Sequence, residues 1–299
     1  MSPALGLLHG RLGLAAARIP HADRHGLLWL EYGKLSVEDG TLRFVAAQSE
    51  VMDAGDYAIP YQAVSMILLG PGTSLTQDVL RLCARHGALI AAVGEAGVKS
   101  YTAPPMGQGH SDVARRHAQL WADPKQRLDV ARRLYGWRFG RILPHRDIET
   151  LRGIEGARVK ESYRLVAQRF GIDWQGRRYE RGDPGAADLP NQAINHAATF
   201  VEAAADIAVA VVGALPPLGF IHEESSNAFT LDMADLWRID LVLPLAFGAV
   251  QACTEGKAHN LESEVRRRAV RMFRQEKLIP RMIDRIKELF DVNDSGRDA

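Results

Sequence analysis

Only two cysteines, Cys83 and Cys253, occur in the 299 residues. Both sit in apolar surroundings with no CxxC and no neighbouring His pattern. That excludes a disulfide framework and points to two reduced, buried thiols in a cytosolic protein. Long apolar runs are lacking as well. The longest one past the N-terminus, Ile207 to Leu215, is nine residues and ends in Pro216-Pro217, too short to span a bilayer. The first twenty residues, MSPALGLLHGRLGLAAARIP, have no basic start and are interrupted by Gly10 and Arg11. They read as a short leader to the fold, not a signal peptide. A soluble, cytoplasmic protein is the expectation. No GxxxxGK[ST], HExxH or GxSxG occurs, so nucleotide hydrolysis, zinc proteolysis and serine esterase chemistry lose ground. A charge excess is also missing: 37 Lys+Arg against 36 Asp+Glu leave +1, where a nucleic-acid protein usually shows a basic surplus.

What is present divides the chain in two. From Gly26 to about Ala103 the pattern is short and period-two. Leu28, Leu30 and Tyr32 alternate with Trp29 and Glu31, and two strand-like runs flank Glu38-Asp39-Gly40 as a hairpin. Ile59-Pro60 and Val64 to Leu69 give further strands, Leu75 to His86 has helical spacing, and Ala88 to Val93 reads as a buried strand. Residues 104–111, PPMGQGHS, are a linker by composition. Beyond it, residues 113–121, 125–139, 148–170, 192–213, 231–253 and 263–290 carry three- and four-residue apolar spacing. The expected fold class is therefore α+β: a β-rich N-terminal domain, 1–103, followed by a larger all-α domain, 104–299.

Charge summed by segment alters the first impression. It is −1 over residues 1–103, +8 over 110–181, −9 over 182–263, +6 over 264–287 and −3 over 288–299. One basic run is often a solvated helix face. Two that bracket an acidic run are better explained by a phosphate-binding surface around a cation site.

The chemistry-bearing residues lie in and beside the acidic run. Glu155 projects from the apolar stripe of Leu151, Val159 and Val166, where an ionised carboxylate needs a cation or donors. Pairing with Arg152 or Arg158 is the plain alternative. Gly153 and Gly156 beside it would let another backbone approach closely. His222 follows Gly219-Phe220-Ile221, and Asp232 and Asp235 share one helix face near its expected start. A helix-start role accounts well for Asp232 and less well for Asp235; His222 alone reads as an ordinary hydrogen-bonded imidazole. Together, carboxylates and one imidazole suit Mg²⁺ or Mn²⁺, which beside a phosphodiester acts as a Lewis acid.

At these residues the chain resembles a known family. Arg152-Gly153-Ile154-Glu155-Gly156, His222 and Asp232-Met233-Ala234-Asp235 look like the three active-site blocks of the CRISPR-associated integrase of spacer acquisition, subtype I-E branch. The resemblance runs from about Asp23 to about Phe290. It includes Leu30-Glu31-Tyr32-Gly33, Gly70-Pro71-Gly72-Thr73, Val93-Gly94-Glu95-Ala96-Gly97-Val98 and Gly176-Arg177-Arg178-Tyr179.

The resemblance implies a dimerising β-domain and a helical catalytic domain holding one Mg²⁺ or Mn²⁺. Glu155, His222 and Asp235 match the metal ligands, with Asp232 an accessory catalytic acid. The implied reaction is transesterification: the 3′-OH of a captured double-stranded DNA with single-stranded 3′ overhangs attacks a phosphodiester of CRISPR repeat DNA. Two integrase homodimers would clamp a dimer of a small companion protein in a six-subunit assembly. Tyr32 matches an aromatic wedge at the duplex end, Arg81 and Lys99 match residues that grip DNA, and Arg152, Arg177, Arg178 and Tyr179 complete the implied DNA contacts. Glu-Glu-Ser-Ser after His222 stands where close relatives offer glycine and lysine, and Lys99 replaces an Arg. Two other functions compete: a stand-alone nuclease using the same metal for hydrolysis, and a non-catalytic DNA-binding scaffold.

Overall fold

Asp39 and Gly40 both take positive φ, 49° and 74°, the geometry that a two-residue hairpin turn matched to strand twist requires. They join β2 (Gly33–Glu38) to β3 (Thr41–Ala46) in antiparallel register, with Glu38 opposite Thr41. This is the hairpin expected at Asp39-Gly40. The structure, a computed structural model, describes residues 27–49, 52–61, 64, 66–102, 112–140, 148–178 and 187–291. The leader, the linker 104–111 and most of the C-terminal tail lie outside the described residues.

Around the hairpin, β4 (Gly55–Ile59) pairs antiparallel with β3 and β6 (Thr73–Leu75) pairs parallel with β2, giving the order β4-β3-β2-β6. A second sheet, all parallel, has the order β1-β5-β7: Leu27–Leu30, Met66–Leu69 and Leu89–Ala92. Helix α1 (Gln77–His86) turns its buried Val79 and Cys83 into the core between the sheets, beside Leu35, Leu42 and Phe44. Burial of each large side chain there contributes roughly 1.5–3 kcal/mol.

Strand β5 explains how the two halves meet. All four of its residues are buried. Because side chains alternate across a strand, Ile67 and Leu69 enter the strand core while Met66 and Leu68 enter the helical core. A strand covered on both faces reads as a continuous apolar run rather than an alternating one.

The helical half comprises α2 (Asp112–Ala122), α3 (Pro124–Phe139), α4 (Ile148–Arg169), α5 (Leu189–Val212), α6 (Ala228–Asp235), α7 (Leu243–Thr254), α8 (Leu261–Glu276) and α9 (Leu278–Leu289). Asp123 caps α3 by accepting from the amides of Lys125 and Gln126 at 2.9 Å, and Asp188 caps α5 through Asn191. Among the described residues α5 is the one unbroken helix long and apolar enough to cross a membrane. Its packing against α6, α7, α8 and α9 accounts for that apolarity.

Two expected helices are each broken. The run 231–253 begins earlier, at Ala228, and bends by 61° between α6 and the segment Arg238–Thr254. The bend falls at Leu236-Trp237, and Pro244 lies beyond it in the first turn of α7, where a missing N–H is tolerated. A wide π turn over Arg238–Val242 leads from the bend into α7, with Leu243 N–H bonding the Arg238 carbonyl. The run 263–290 breaks at Lys277, which takes a left-handed φ of 48°, three residues ahead of Pro280 in the first turn of α9. Cys83 is a buried free thiol as expected, whereas Cys253 is only half-buried.

Candidate active site

The site assembles from α3, α4, α6, the π turn and the loop before α6. That loop is pinned from below by α2. His117 is fully buried and uses both ring nitrogens: Nδ1 accepts the Leu215 amide at 3.2 Å and Nε2 donates to the Leu218 carbonyl at 2.7 Å. Its ring lies against Phe220, Phe229 and Phe290. Burial pushes the imidazole down to about 4, against the pull of the Leu218 carbonyl, so it stays neutral at pH 7. Trp121 Nε1 donates to the Gly219 carbonyl at 2.9 Å. Gly219 itself has no room for a side chain: a Cβ would fall on the His222 carbonyl oxygen and 2.7 Å from the Ala228 Cβ.

Asp232 gathers this loop. Its carboxylate accepts the amides of Phe220 at 2.6 Å, Ile221 at 3.1 Å and His222 at 2.9 Å, and meets His222 Nδ1 at 2.7 Å. A carboxylate offers only acceptors, so Nδ1 carries a proton and Nε2 is the nitrogen that offers a lone pair whenever the ring is neutral. Nε2 is turned toward Asp235, 3.8 Å from Oδ2. Burial pushes His222 down, but the Asp232 hydrogen bond and the charges of Asp235 and Asp232 outweigh it and hold the imidazole above its ordinary value.

Asp235 ends α6 at the bend, and Asp232 sits inside the helix. The helix-start placement expected for both therefore does not hold, because the helix begins at Ala228. Arg238 Nε donates to Asp235 Oδ1 at 2.7 Å and its Nη1 reaches the Tyr163 hydroxyl at 3.3 Å. Arg138, near the end of α3, bridges the other side: Nη1 pairs with Glu155 and Nη2 lies 3.2 Å from Asp235 Oδ2. Burial alone would raise Asp235, yet Arg238, Arg138 and His222 hold it below the usual carboxylate range. Burial pushes the Tyr135 phenol up, and the Glu155 charge adds to it.

Glu155 thus has its counter-charge, but the partner is Arg138 and neither of its sequence neighbours. Arg152 pairs with Glu149 and Glu223 and donates to the Ile221 carbonyl, while Arg158 stacks on Phe139. Gly153 and Gly156 are exposed, with nothing within 4 Å of a Cβ at either. The close backbone approach expected there is absent among the described residues.

Two carboxylates and an imidazole whose Nε2 is free of Asp232 form a donor set that, with the ring neutral, fits a hard or borderline divalent cation. The cation between the carboxylates here is the Arg138 guanidinium. With Arg138 between them, no group of three His, Cys, Asp or Glu side chains among the described residues is placed to hold a metal ion.

A model of the family described as CRISPR associated protein Cas1 matches residues 27–142 and 138–275. The chain belongs to the Cas1 family. The CRISPR-associated endonuclease Cas1 of Escherichia coli (strain K12) is 35% identical over 272 residues, 91% of this chain and 86% of that protein. The CRISPR-associated endonuclease Cas1 1 of Rhodospirillum rubrum is 34% identical over 270 residues, 89% of this chain and 85% of that protein. A crystal structure of a TtCas1-DNA complex matches with a TM-score of 0.78 at 33% identity, covering 89% of this chain and 97% of that one. The strand-rich region followed by a mostly helical one is the α+β arrangement of these Cas1 structures.

In this Cas1 family member the remaining candidate residues occupy separate elements. Tyr32 follows β1, is about half exposed, and takes a φ of 53°. Its backbone is clamped by bonds to Pro71 and Ala47. Arg81 pairs with Asp78 on α1. Lys99 bonds Glu262 at 2.9 Å and lies over the Phe200 ring. Arg177 bonds Asn191 at 2.9 Å and Asn195 at 2.6 Å, and the Arg178 amide bonds Asn191. Tyr179 lies outside the described residues. The Glu-Glu departure after His222 has a structural partner set: Glu223 pairs with Arg127 at 3.0 Å and Arg152 at 3.4 Å.

Sequence reasoning missed Arg138, Tyr163 and Tyr135, whose roles depend on contacts between distant helices, and Arg238, which meets Asp235 three residues away across the bend. Glu202 and Asp206 were passed over as well, although two carboxylates four residues apart on the apolar α5 are a visible signal. Burial pushes both up, and for Glu202 the nearby Arg238 pulls the other way.

Proposed function

We propose that this Cas1 family member is a metal-dependent DNA integrase of CRISPR adaptation. Its site would join the 3′-OH of a captured DNA fragment to a phosphodiester of the CRISPR repeat by transesterification. The observation that carries the reading is the convergence of Glu155, Asp235 and the Nε2 of His222 from three separate segments. Family membership and the DNA-bound TtCas1 structure support it.

Glu155, His222 and Asp235 would hold Mg²⁺ or Mn²⁺. Such an ion supplies Lewis-acid stabilisation of phosphoryl oxygens and orients the attacking hydroxyl. Asp232 touches no reacting atom in this scheme. It fixes the tautomer and direction of His222, as carboxylates behind metal-binding imidazoles do. Arg238, held by Tyr163, fixes the orientation of Asp235.

The surrounding assignments follow the same reading. Residues 1–103 form the dimerisation domain and 104–299 the catalytic domain. The partners are DNA with single-stranded 3′ overhangs, CRISPR repeat DNA, a second copy of the chain and a small companion protein in a six-subunit assembly, all in the cytoplasm. Tyr32, Arg81, Lys99, Arg152, Arg177, Arg178 and Tyr179 are the proposed DNA contacts. The subtype I-E placement rests on motif resemblance. Exposure of Tyr32 on a clamped, strained backbone supports a wedge, since strain of this kind persists only where surrounding structure enforces it.

The relatives are named endonucleases, so hydrolysis is the competing chemistry. Incubation of overhang DNA with a repeat-bearing plasmid and Mn²⁺ separates them by product. Joined strands support integration; nicked and linear DNA alone would reject it.

A further inference from the structure

Arg138 occupies an unusual position for an arginine. Its side chain is 4% exposed, and its two terminal nitrogens engage different carboxylates, Glu155 through Nη1 and Asp235 through Nη2. A guanidinium most often meets one carboxylate with both arms. Here it spans two carboxylates from α4 and α6, and these are two of the three residues proposed above to hold the metal. Its Nε is buried with no hydrogen-bond partner among the described residues, so the side chain keeps this place at the expense of an unmade bond.

We propose that Arg138 is a built-in competitor of the divalent ion: it neutralises Glu155 and Asp235 when no metal is bound and must leave them for the metal to enter. The proposal rests on the metal site of the preceding section. Physical necessity favours it. Two largely buried carboxylates this close to one cation require compensation, and a guanidinium and a dication cannot both fill the space between them. Arg238 is not equivalent, because, of Glu155 and Asp235, it pairs with Asp235 alone, and at the other oxygen. Loading of the site is therefore a displacement, and its affinity is lower than the donor set alone would give. The freed guanidinium stays beside the site as a cation suited to a DNA phosphate.

The test is Mn²⁺ titration by calorimetry on the full-length, DNA-free protein. The variants are Arg138→Met, which keeps the side-chain bulk, and Arg138→Lys, whose point charge cannot span both carboxylates. Circular dichroism at the titration temperature verifies that each is folded. Arg138→Met is expected to bind Mn²⁺ roughly tenfold or more tightly than wild type, with Arg138→Lys between them. Its melting temperature without metal should fall, and added Mn²⁺ should raise it by more than in wild type. Affinity equal to or weaker than wild type in both folded variants overturns the competitor role and leaves the metal site standing. No Mn²⁺ binding by any form, wild type included, rejects the metal site itself and the competitor with it.

Discussion

His222 Nδ1 lies 2.7 Å from Asp232 Oδ1, and the same carboxylate also receives the amides of Phe220, Ile221 and His222. Four donors therefore meet one buried side chain from a helix twelve residues or fewer along the chain. The arrangement fixes both where the imidazole stands and which nitrogen it offers.

Asp232→Asn is the sharpest probe of that relationship. The amide oxygen can still accept, but its NH₂ faces amide donors, and the imidazole loses the charge that orders its tautomer. Mn²⁺ affinity is expected to drop about 10- to 100-fold with a comparable loss of strand transfer. Calorimetry and a single-turnover assay measure the two separately. Unchanged metal affinity would remove Asp232 from its positioning role.

His117 makes stability depend on pH in a defined direction. Its folded value is about 4 and its ordinary value 6.5, so the unfolded chain takes up a proton that the folded one refuses. The contribution is complete above 6.5 and is lost as pH falls from 6.5 through 4. Between pH 7 and pH 5 this group alone should remove about 2 kcal/mol of unfolding free energy. Urea titrations at the two pH values measure the loss, and a His117→Gln variant should show a slope shallower by that amount. Equal slopes would mean that His117 is not held neutral.

Glycines in and near the site should respond in opposite directions. Gly219→Ala forces the new methyl onto the His222 carbonyl and against Ala228. It should cost about 1–3 kcal/mol and displace the loop that aims His222. Gly153→Ala adds a methyl to open space on an exposed helix face, and should stabilise the DNA-free protein by about 1 kcal/mol. Thermal melts of both variants give the comparison, and a lower melting temperature for Gly153→Ala would show that a close neighbour exists there.

The fold was legible wherever one local signal dominated. Asp39-Gly40 specifies its hairpin by turn chemistry, and α2 to α5 start and stop within a few residues of their apolar periodicity. The breaks at Lys277 and at Leu236-Trp237 are not marked in the sequence, because the apolar spacing continues through both. Within the site, Glu155, His222, Asp232 and Asp235 stood out as polar residues in apolar settings. Their counter-charges did not. Arg138 lies 17 residues from Glu155 and 97 from Asp235, so only tertiary packing brings it to them, whereas Arg238 is three residues past Asp235 but reaches it around the bend. The near-neutral total charge was equally uninformative, since it cancels a basic, an acidic and a second basic segment.

Single-turnover strand transfer of overhang DNA into repeat-bearing DNA in Mn²⁺, comparing wild type with Glu155→Ala, tests the central claim most directly. The account predicts joined product from the wild type and a loss of at least about 10³-fold in the variant, which remains folded. Full-rate joining by folded Glu155→Ala would contradict the assignment of this site.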